Sequence, residues 1–157
     1  MQQGIIEKNH MDILWHDYAL NKEDTIPITK AGLIEKASVV GRCGMMLLSC
    51  GTGAWRVRSS MNTLSRELGI SCTADIGLMS IEYTCFDGEN CFSQSLCLTN
   101  TGVNTSKLNR LENFINDFPT KEKYLSGEQI HSYLDEIERI HAVSYTHLRA
   151  HETTLHL

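Results

Sequence analysis

The sequence predicts an α+β domain: two helices, a β-hairpin (alone or within a small sheet), and two further helices. Three observations carry this. Apolar residues recur at helical spacing through residues 30–68, with a break at Gly51-Thr52-Gly53. From residue 77 to 100 the pattern becomes alternation around Asp87-Gly88-Glu89-Asn90, a turn signal. Helical spacing then returns twice, the second time behind the capping box Ser126-Gly127-Glu128-Gln129.

Ile26-Pro27-Ile28-Thr29 reads as an extended entry, with Thr29 capping a helix over residues 30–49. Leu33, Ala37, Val40, Gly44, Leu47 and Leu48 mark its buried side. Gly41 and Gly44 lie inside it, each costing up to about 1 kcal/mol relative to alanine, which implies that another backbone packs close there. Cys43 and Cys50 share a face, but two turns of rise hold them about 10 Å apart, too far for a disulfide.

The second helix carries Ala54, Val57, Met61, Leu64 and Leu68 as one apolar stripe, with Arg56, Arg58, Asn62, Ser65 and Arg66 mostly off it. Gly69 suits the left-handed residue that ends it. Gly51-Thr52-Gly53 follows a helix rather than a strand and has Arg56 where a third glycine would stand. It therefore reads as a helix–helix break rather than a dinucleotide loop. An anion site built from the free amides of the second helix and Arg56 stays open.

In the hairpin, Met79, Ile81, Tyr83 and Cys85 alternate with Leu78, Ser80, Glu82 and Thr84, and Phe92, Leu96 and Leu98 fall in phase on the return strand. A four-residue loop sets Met79 opposite Leu98, Ile81 opposite Leu96 and Cys85 opposite Phe92, and a two-residue loop keeps the same parity. Cys91 and Cys97 then project to the face away from Cys85, which argues against a Cys85–Cys91 bridge. Two strands alone are marginal and need cover from the helices or strands from a second copy.

Asn104 or Thr105 caps the third helix, with Leu108, Leu111, Phe114, Ile115 and Phe118 on its apolar side and Pro119 as the stop. Asn104-Thr105-Ser106 matches a glycosylation sequon, unused in a cytosolic chain. The fourth helix presents Ile130, Tyr133, Leu134, Ile137 and Ile140.

At 157 residues the chain suits one domain with tails, and 41% hydrophobic with 21% charged residues is ordinary for a globular protein. A net charge of -5 gives nucleic-acid binding no support. No apolar run approaches the roughly 20 residues that cross a bilayer, and the start lacks a secretion signal, so the chain taken alone reads as soluble and intracellular. The six cysteines contain no CxxC pair and read as free thiols acting as small hydrophobes.

Residues 1–24 read as a polar surface segment. His10 and His16 with Asp12 and Asp17 resemble a metal cluster only loosely, because the histidines fall on different faces of a helix. In the tail, His151-Glu152 begins like HExxH, but Leu155 stands where the second histidine belongs. No metal or cofactor is expected. There is also no nucleophile elbow, P-loop or paired-carboxylate motif.

Leu47-Leu48-Ser49-Cys50-Gly51-Thr52-Gly53-Ala54-Trp55-Arg56-Val57 resembles the signature of the threonine/serine exporter family. There a helix ending in Leu-Leu is followed by glycine and by an aromatic-Arg-Val triplet opening the next helix. The matching residues are Gly51, Trp55, Arg56, Val57 and Met61. The family's acidic residues are replaced here by Ser49, Gly53 and Arg58. The order of hairpin, Gly-Val-Asn and Leu-rich helix is also similar, and the resemblance covers residues 30–140.

The resemblance implies a cytoplasmic N-terminal domain of a membrane exporter of threonine and serine, at residues 29–142 behind an extension at 1–28. Its partners would be the missing membrane-spanning helices of the same protein and small amino acids, with a second copy of the chain as a further candidate. Residues 143–157 resemble a translated sequencing-adapter stretch and read as a non-native tail. Trp55 and Arg56 are the candidate functional residues, with Gly51, Val57 and Met61 as structural motif positions. Two other readings remain: a hydrolase-like accessory domain with its site near residues 51–58, and a soluble dimerising module. In a purely structural role, Trp55 packs against the hairpin and Arg56 pairs with a carboxylate.

Overall fold

The computed structural model describes residues 8–9, 12–20 and 26–141. The architecture is α+β, with four helices packed around and against one face of a small sheet.

Helix α1 (Leu33–Ser49) is the centre of the molecule. From Ala37 to Leu48 every residue is buried, including Val39, Val40, Cys43, Met45, Met46 and Leu47. Burial all round, with Ser38 and Arg42 as the polar members of the stretch, marks a helix enclosed on all sides. Its start lies later than the sequence suggests. Ile28–Lys30 forms a 3-10 turn pinned by the Ile28 amide donating to the Leu125 carbonyl at 2.7 Å, and Gly32, not Thr29, precedes the first helical residue.

The close approach expected at Gly41 and Gly44 is real, but side chains make it, not backbone. A Cβ on Gly41 would sit 2.2 Å from the Tyr83 hydroxyl oxygen, and one on Gly44 would sit 2.6 Å from the Met61 sulfur.

Gly51 takes φ +88° and closes α1. Its amide donates to Leu48 and the Thr52 amide donates to Leu47, which satisfies two orphan carbonyls in a Schellman arrangement. Helix α2 (Ala54–Leu68) ends the same way at Gly69, φ +75°, with the Ile70 amide donating to Ser65. Val57, Met61, Leu64 and Leu68 are buried on α1, while Ala54 at the first turn is exposed.

The sheet contains β1 (Lys8–Asn9), β2 (Ser71–Ile76), β3 (Ser80–Phe86) and β4 (Cys91–Cys97) in the order β1-β4-β3-β2. β1 runs parallel to β4 and the other pairs are antiparallel. The hairpin adopts the four-residue register: Ile81 faces Leu96, Cys85 faces Phe92, and the Leu98 amide donates to the Met79 carbonyl. Asp87 fixes the turn by accepting from the amides of Glu89 and Asn90, and these bonds hold its carboxyl below the usual range.

β2 is absent from the sequence expectation. Its inward residues are Cys72, Ala74 and Ile76, too small at the first two positions to show as an apolar alternation. With β2 and β1 in place, the sheet does not require strands from a second copy. β2 also sets Cys72 directly opposite Cys85. All six cysteines are free.

Helix α3 (Thr105–Asp117) is capped by Asn104, whose side-chain oxygen accepts from the Lys107 amide. Its Phe114 meets Phe118 and Tyr133. Helix α4 (Gly127–Glu138) carries the expected capping box in full. The second amide position of Asn104 donates to the Ile140 carbonyl, tying the end of α4 to the start of α3.

Candidate functional site

A polar cluster lies where α1, α4 and the segment 12–20 meet. That segment is part of the core rather than a polar surface stretch: Trp15 and Ala19 are buried, in and just after a 3-10 turn at Trp15–Tyr18. His10, the other half of the loosely drawn metal cluster, lies outside the described residues. Among the described residues no group of three or more histidine, cysteine or acidic side chains could hold a metal ion.

Arg42 is the hub. It is 4% exposed in the middle of α1, among apolar neighbours, so its charge requires partners. Nη2 donates to Asp135 Oδ1 at 2.6 Å, and Nη1 donates to the His131 carbonyl at 3.1 Å and to His131 Nδ1 at 3.2 Å. Its guanidinium carbon stands 5.9 Å from the Trp15 ring centroid, and Trp15 stacks on His131. His16 spans two carboxylates of α4, with Nε2 2.7 Å from Asp135 and Nδ1 3.0 Å from Glu128. Ionised carboxylates only accept, so the ring makes both bonds when both nitrogens carry protons. A cleft of about 430 Å³ opens over this lattice, walled by Trp15, His16, Arg42, Asp135 and Arg139.

Ser38 and His131 superficially form a serine–histidine pair, with Oγ 2.9 Å from Nε2. The proton placement is wrong for a nucleophile. Ser38 gives its proton to the Glu35 carbonyl at 2.6 Å, so Nε2 must donate to Ser38. Nδ1 faces a guanidinium where a triad places a carboxylate. Ser49 likewise donates to the Met46 carbonyl. Burial pushes the Cys50 thiol up and the Cys43 thiol up to about 12, so neither forms a ready thiolate.

Burial alone would raise the Asp135 carboxyl, but the hydrogen bonds and charges of Arg42 and His16 outweigh it and hold the group below the usual range. A depressed folded-state value means stability that is present above the unfolded value, about 3.9, and lost as pH falls through the folded one. The stability advantage of wild type over Asp135→Asn is therefore expected to shrink between about pH 5 and pH 3 in urea unfolding.

The sequence-predicted residues gather at the opposite turn of the helix pair. Gly51 is the left-handed stop of α1, and Val57 and Met61 are buried core. Trp55 is 71% exposed and does not pack against the hairpin. Arg56 pairs with the carboxylate of Glu112 on α3. Trp55 and Arg56 wall a second cleft, about 270 Å³, together with Thr52, Ser60, Glu112 and Asn116. Of the three departures from the resembled motif, Gly53 opens α2, Ser49 bonds its own helix, and Arg58 donates to the Ala74 carbonyl.

Sequence reasoning missed the Arg42 lattice. The signal was a lone arginine inside the apolar run Val39-Val40-Gly41-Arg42-Cys43-Gly44-Met45.

No described helix is long and apolar enough to cross a membrane. No curated protein and no solved structure matches the chain. The family model described as "Putative threonine/serine exporter" matches residues 38–148, from the middle of α1 to beyond α4. A match over well more than half of its length means that this chain belongs to the threonine/serine exporter family.

Proposed function

We propose that the chain is the extramembrane, cytoplasmic domain of an exporter of threonine and serine, with the membrane-spanning helices supplied by further sequence of the same protein. The observation that carries this is the family match over a region in which no described helix could span a bilayer. On this reading the domain is more than 29–142: it includes the segment 12–20, whose Trp15 and Ala19 are buried in the core, and the family match runs on to residue 148, into the stretch 143–157 that reads as a non-native tail.

The geometry suits a rigid base for a following helix. Asp135 is tied to α1 through Arg42 and to the segment 12–20 through His16. Glu138 takes Lys107 of α3 at 2.7 Å, and Ile140 takes Asn104. The last turn of α4 is thus held from three sides. No catalytic step is assigned to the domain.

The test is efflux of labelled threonine and serine from preloaded cells that express the complete genomic reading frame. Efflux is expected to exceed that of vector controls several-fold, and that frame is expected to contain runs of about 20 apolar residues past Ala142. Equal efflux with and without expression would sink the reading.

A further inference from the structure

We propose that Cys72 and Cys85 are a redox modification site, closing into a reversible disulfide that staples β2 to β3 when the protein meets a peroxide. The site rests on strand register and does not depend on the exporter reading.

The register sets Cys72 directly opposite Cys85. Opposed residues of a strand pair share a face, and here it is the inward one: Cys85 is buried and Cys72 is half-buried against the core. Hydrogen-bonded and non-bonded pairs alternate along an antiparallel ladder. The Gly77 amide donates to the Ser80 carbonyl at 2.8 Å, so the β2–β3 turn closes on a bonded pair. Counting back from it, Asp75–Glu82 and Thr73–Thr84 are bonded pairs, whereas Ile76–Ile81, Ala74–Tyr83 and Cys72–Cys85 are not. The other side of β3 gives the same answer. The Leu98 amide donates to the Met79 carbonyl, and that phase turns the backbone groups of Ile81, Tyr83 and Cys85 toward β4. In a non-bonded pair the Cα atoms stand about 4.5 Å apart and the side chains approach more closely than in a bonded one. A disulfide spans Cα separations of about 4.4–6.8 Å.

The other thiols are poorly placed to join one another. Cys91 and Cys97 lie on the opposite face of the sheet, six residues apart on one strand, which separates them by about 20 Å. Cys43 and Cys50 are seven residues apart along α1 and its cap, about 10 Å of rise. β2 also ends the strand order, so it can shift slightly to suit the bond without disturbing a further strand.

The two thiols divide the chemistry. The adjacent Cys85 thiol holds the Cys72 thiol below its ordinary value, while the same contact and burial push Cys85 up. Cys72 is therefore the attacking thiolate. Its sulfur takes one oxygen of hydrogen peroxide, the O–O bond breaks, and the departing hydroxide becomes water with the thiol's proton. The Cys85 sulfur then attacks the sulfenic sulfur of Cys72. The S–S bond forms, the S–O bond breaks, and the oxygen leaves as a second water carrying the Cys85 proton. Two thiols lose two electrons and two protons, and one peroxide is reduced to two waters. A dithiol reductant reverses the bond by exchange.

The experiment treats the purified chain with stoichiometric hydrogen peroxide, then maps it by mass spectrometry after non-reducing chymotryptic digestion, which cuts between the two cysteines at Leu78 and Tyr83. A monomer lighter by two hydrogens, with the Cys72 and Cys85 peptides linked, is expected. The bond closes the loop 72–85, so Tm should rise by about 5–10 °C and fall back with dithiothreitol. Cys91→Ser combined with Cys97→Ser should form the link as wild type does. In Cys85→Ala, dimedone should trap the Cys72 sulfenic acid, and circular dichroism checks that this variant folds; mapping of wild type decides the pairing even if it does not. An unchanged mass, a link between two chains, a link through any other cysteine, or over-oxidation of Cys72 without a link each overturns the site. A Cys72–Cys85 link that leaves Tm unmoved overturns its role as a staple.

Discussion

Gly41→Ala is expected to destabilise the domain by about 3 kcal/mol. Two effects oppose each other at this position. Alanine gains about 1 kcal/mol of helix propensity over glycine. Against this, the new methyl would lie 2.2 Å from the Tyr83 hydroxyl oxygen, 2.4 Å from Cζ and 2.7 Å from Cε1. Tyr83 cannot swing aside freely. Its hydroxyl contacts the Ala37 carbonyl at 3.1 Å and Gln94 at 2.7 Å, and its ring edges against Phe92. The steric term therefore wins. Urea unfolding followed by circular dichroism measures it, with Gly32→Ala as the control, since nothing lies within 4 Å of a Cβ there. If Tyr83 is the cause, Gly41→Ala combined with Tyr83→Ala will cost clearly less than the sum of the two single changes.

Arg42→Met should cost a similar amount, about 3 kcal/mol. Methionine fills the volume but leaves the His131 carbonyl, His131 Nδ1 and one oxygen of Asp135 without their donor. Asp135 is 34% exposed, so water recovers part of its solvation, which keeps the figure toward the low end of what breaking a buried pair costs. The contrast is Arg56→Met, which breaks an exposed pair and should change stability by about 0–1 kcal/mol. Equal losses in the two variants would show that burial does not set the value of these pairs.

How much of this was readable in the residues depends on distance along the chain and on side-chain size. The hairpin register was readable because Met79, Ile81, Phe92, Leu96 and Leu98 are large, in phase, and joined by a short turn. The capping boundaries at Asn104 and Ser126 were readable because a cap is a local bond over three residues. β2 was not, since Cys72 and Ala74 carry little apolar signal and its pairing is decided by β3. The first turn of α1 was misplaced because Ile28 is drawn to the distant Leu125 carbonyl. At the sites, Arg56 was legible through its motif and its carboxylate partner was anticipated in kind. Trp55 is a candidate functional residue from the sequence, and the purely structural alternative, packing against the hairpin, is not what it does. The Arg42 lattice joins residues 89 and 93 positions apart and a segment whose polar composition disguises a buried tryptophan, so no local pattern announces it.

The parallel pairing of β1 with β4, together with Trp15 against His131, bears on where this domain can be cut. The family match opens at residue 38, five residues inside α1. A piece trimmed to that point would lose the sheet's outer strand, the ring that covers Arg42, the imidazole between Glu128 and Asp135, and Glu35, whose carboxylate abuts Gly127 at the start of α4. The evolutionary ruler and the folding ruler therefore measure different objects in this protein. The family match begins partway along a helix, whereas the packed body reaches back to the strand at Lys8–Asn9.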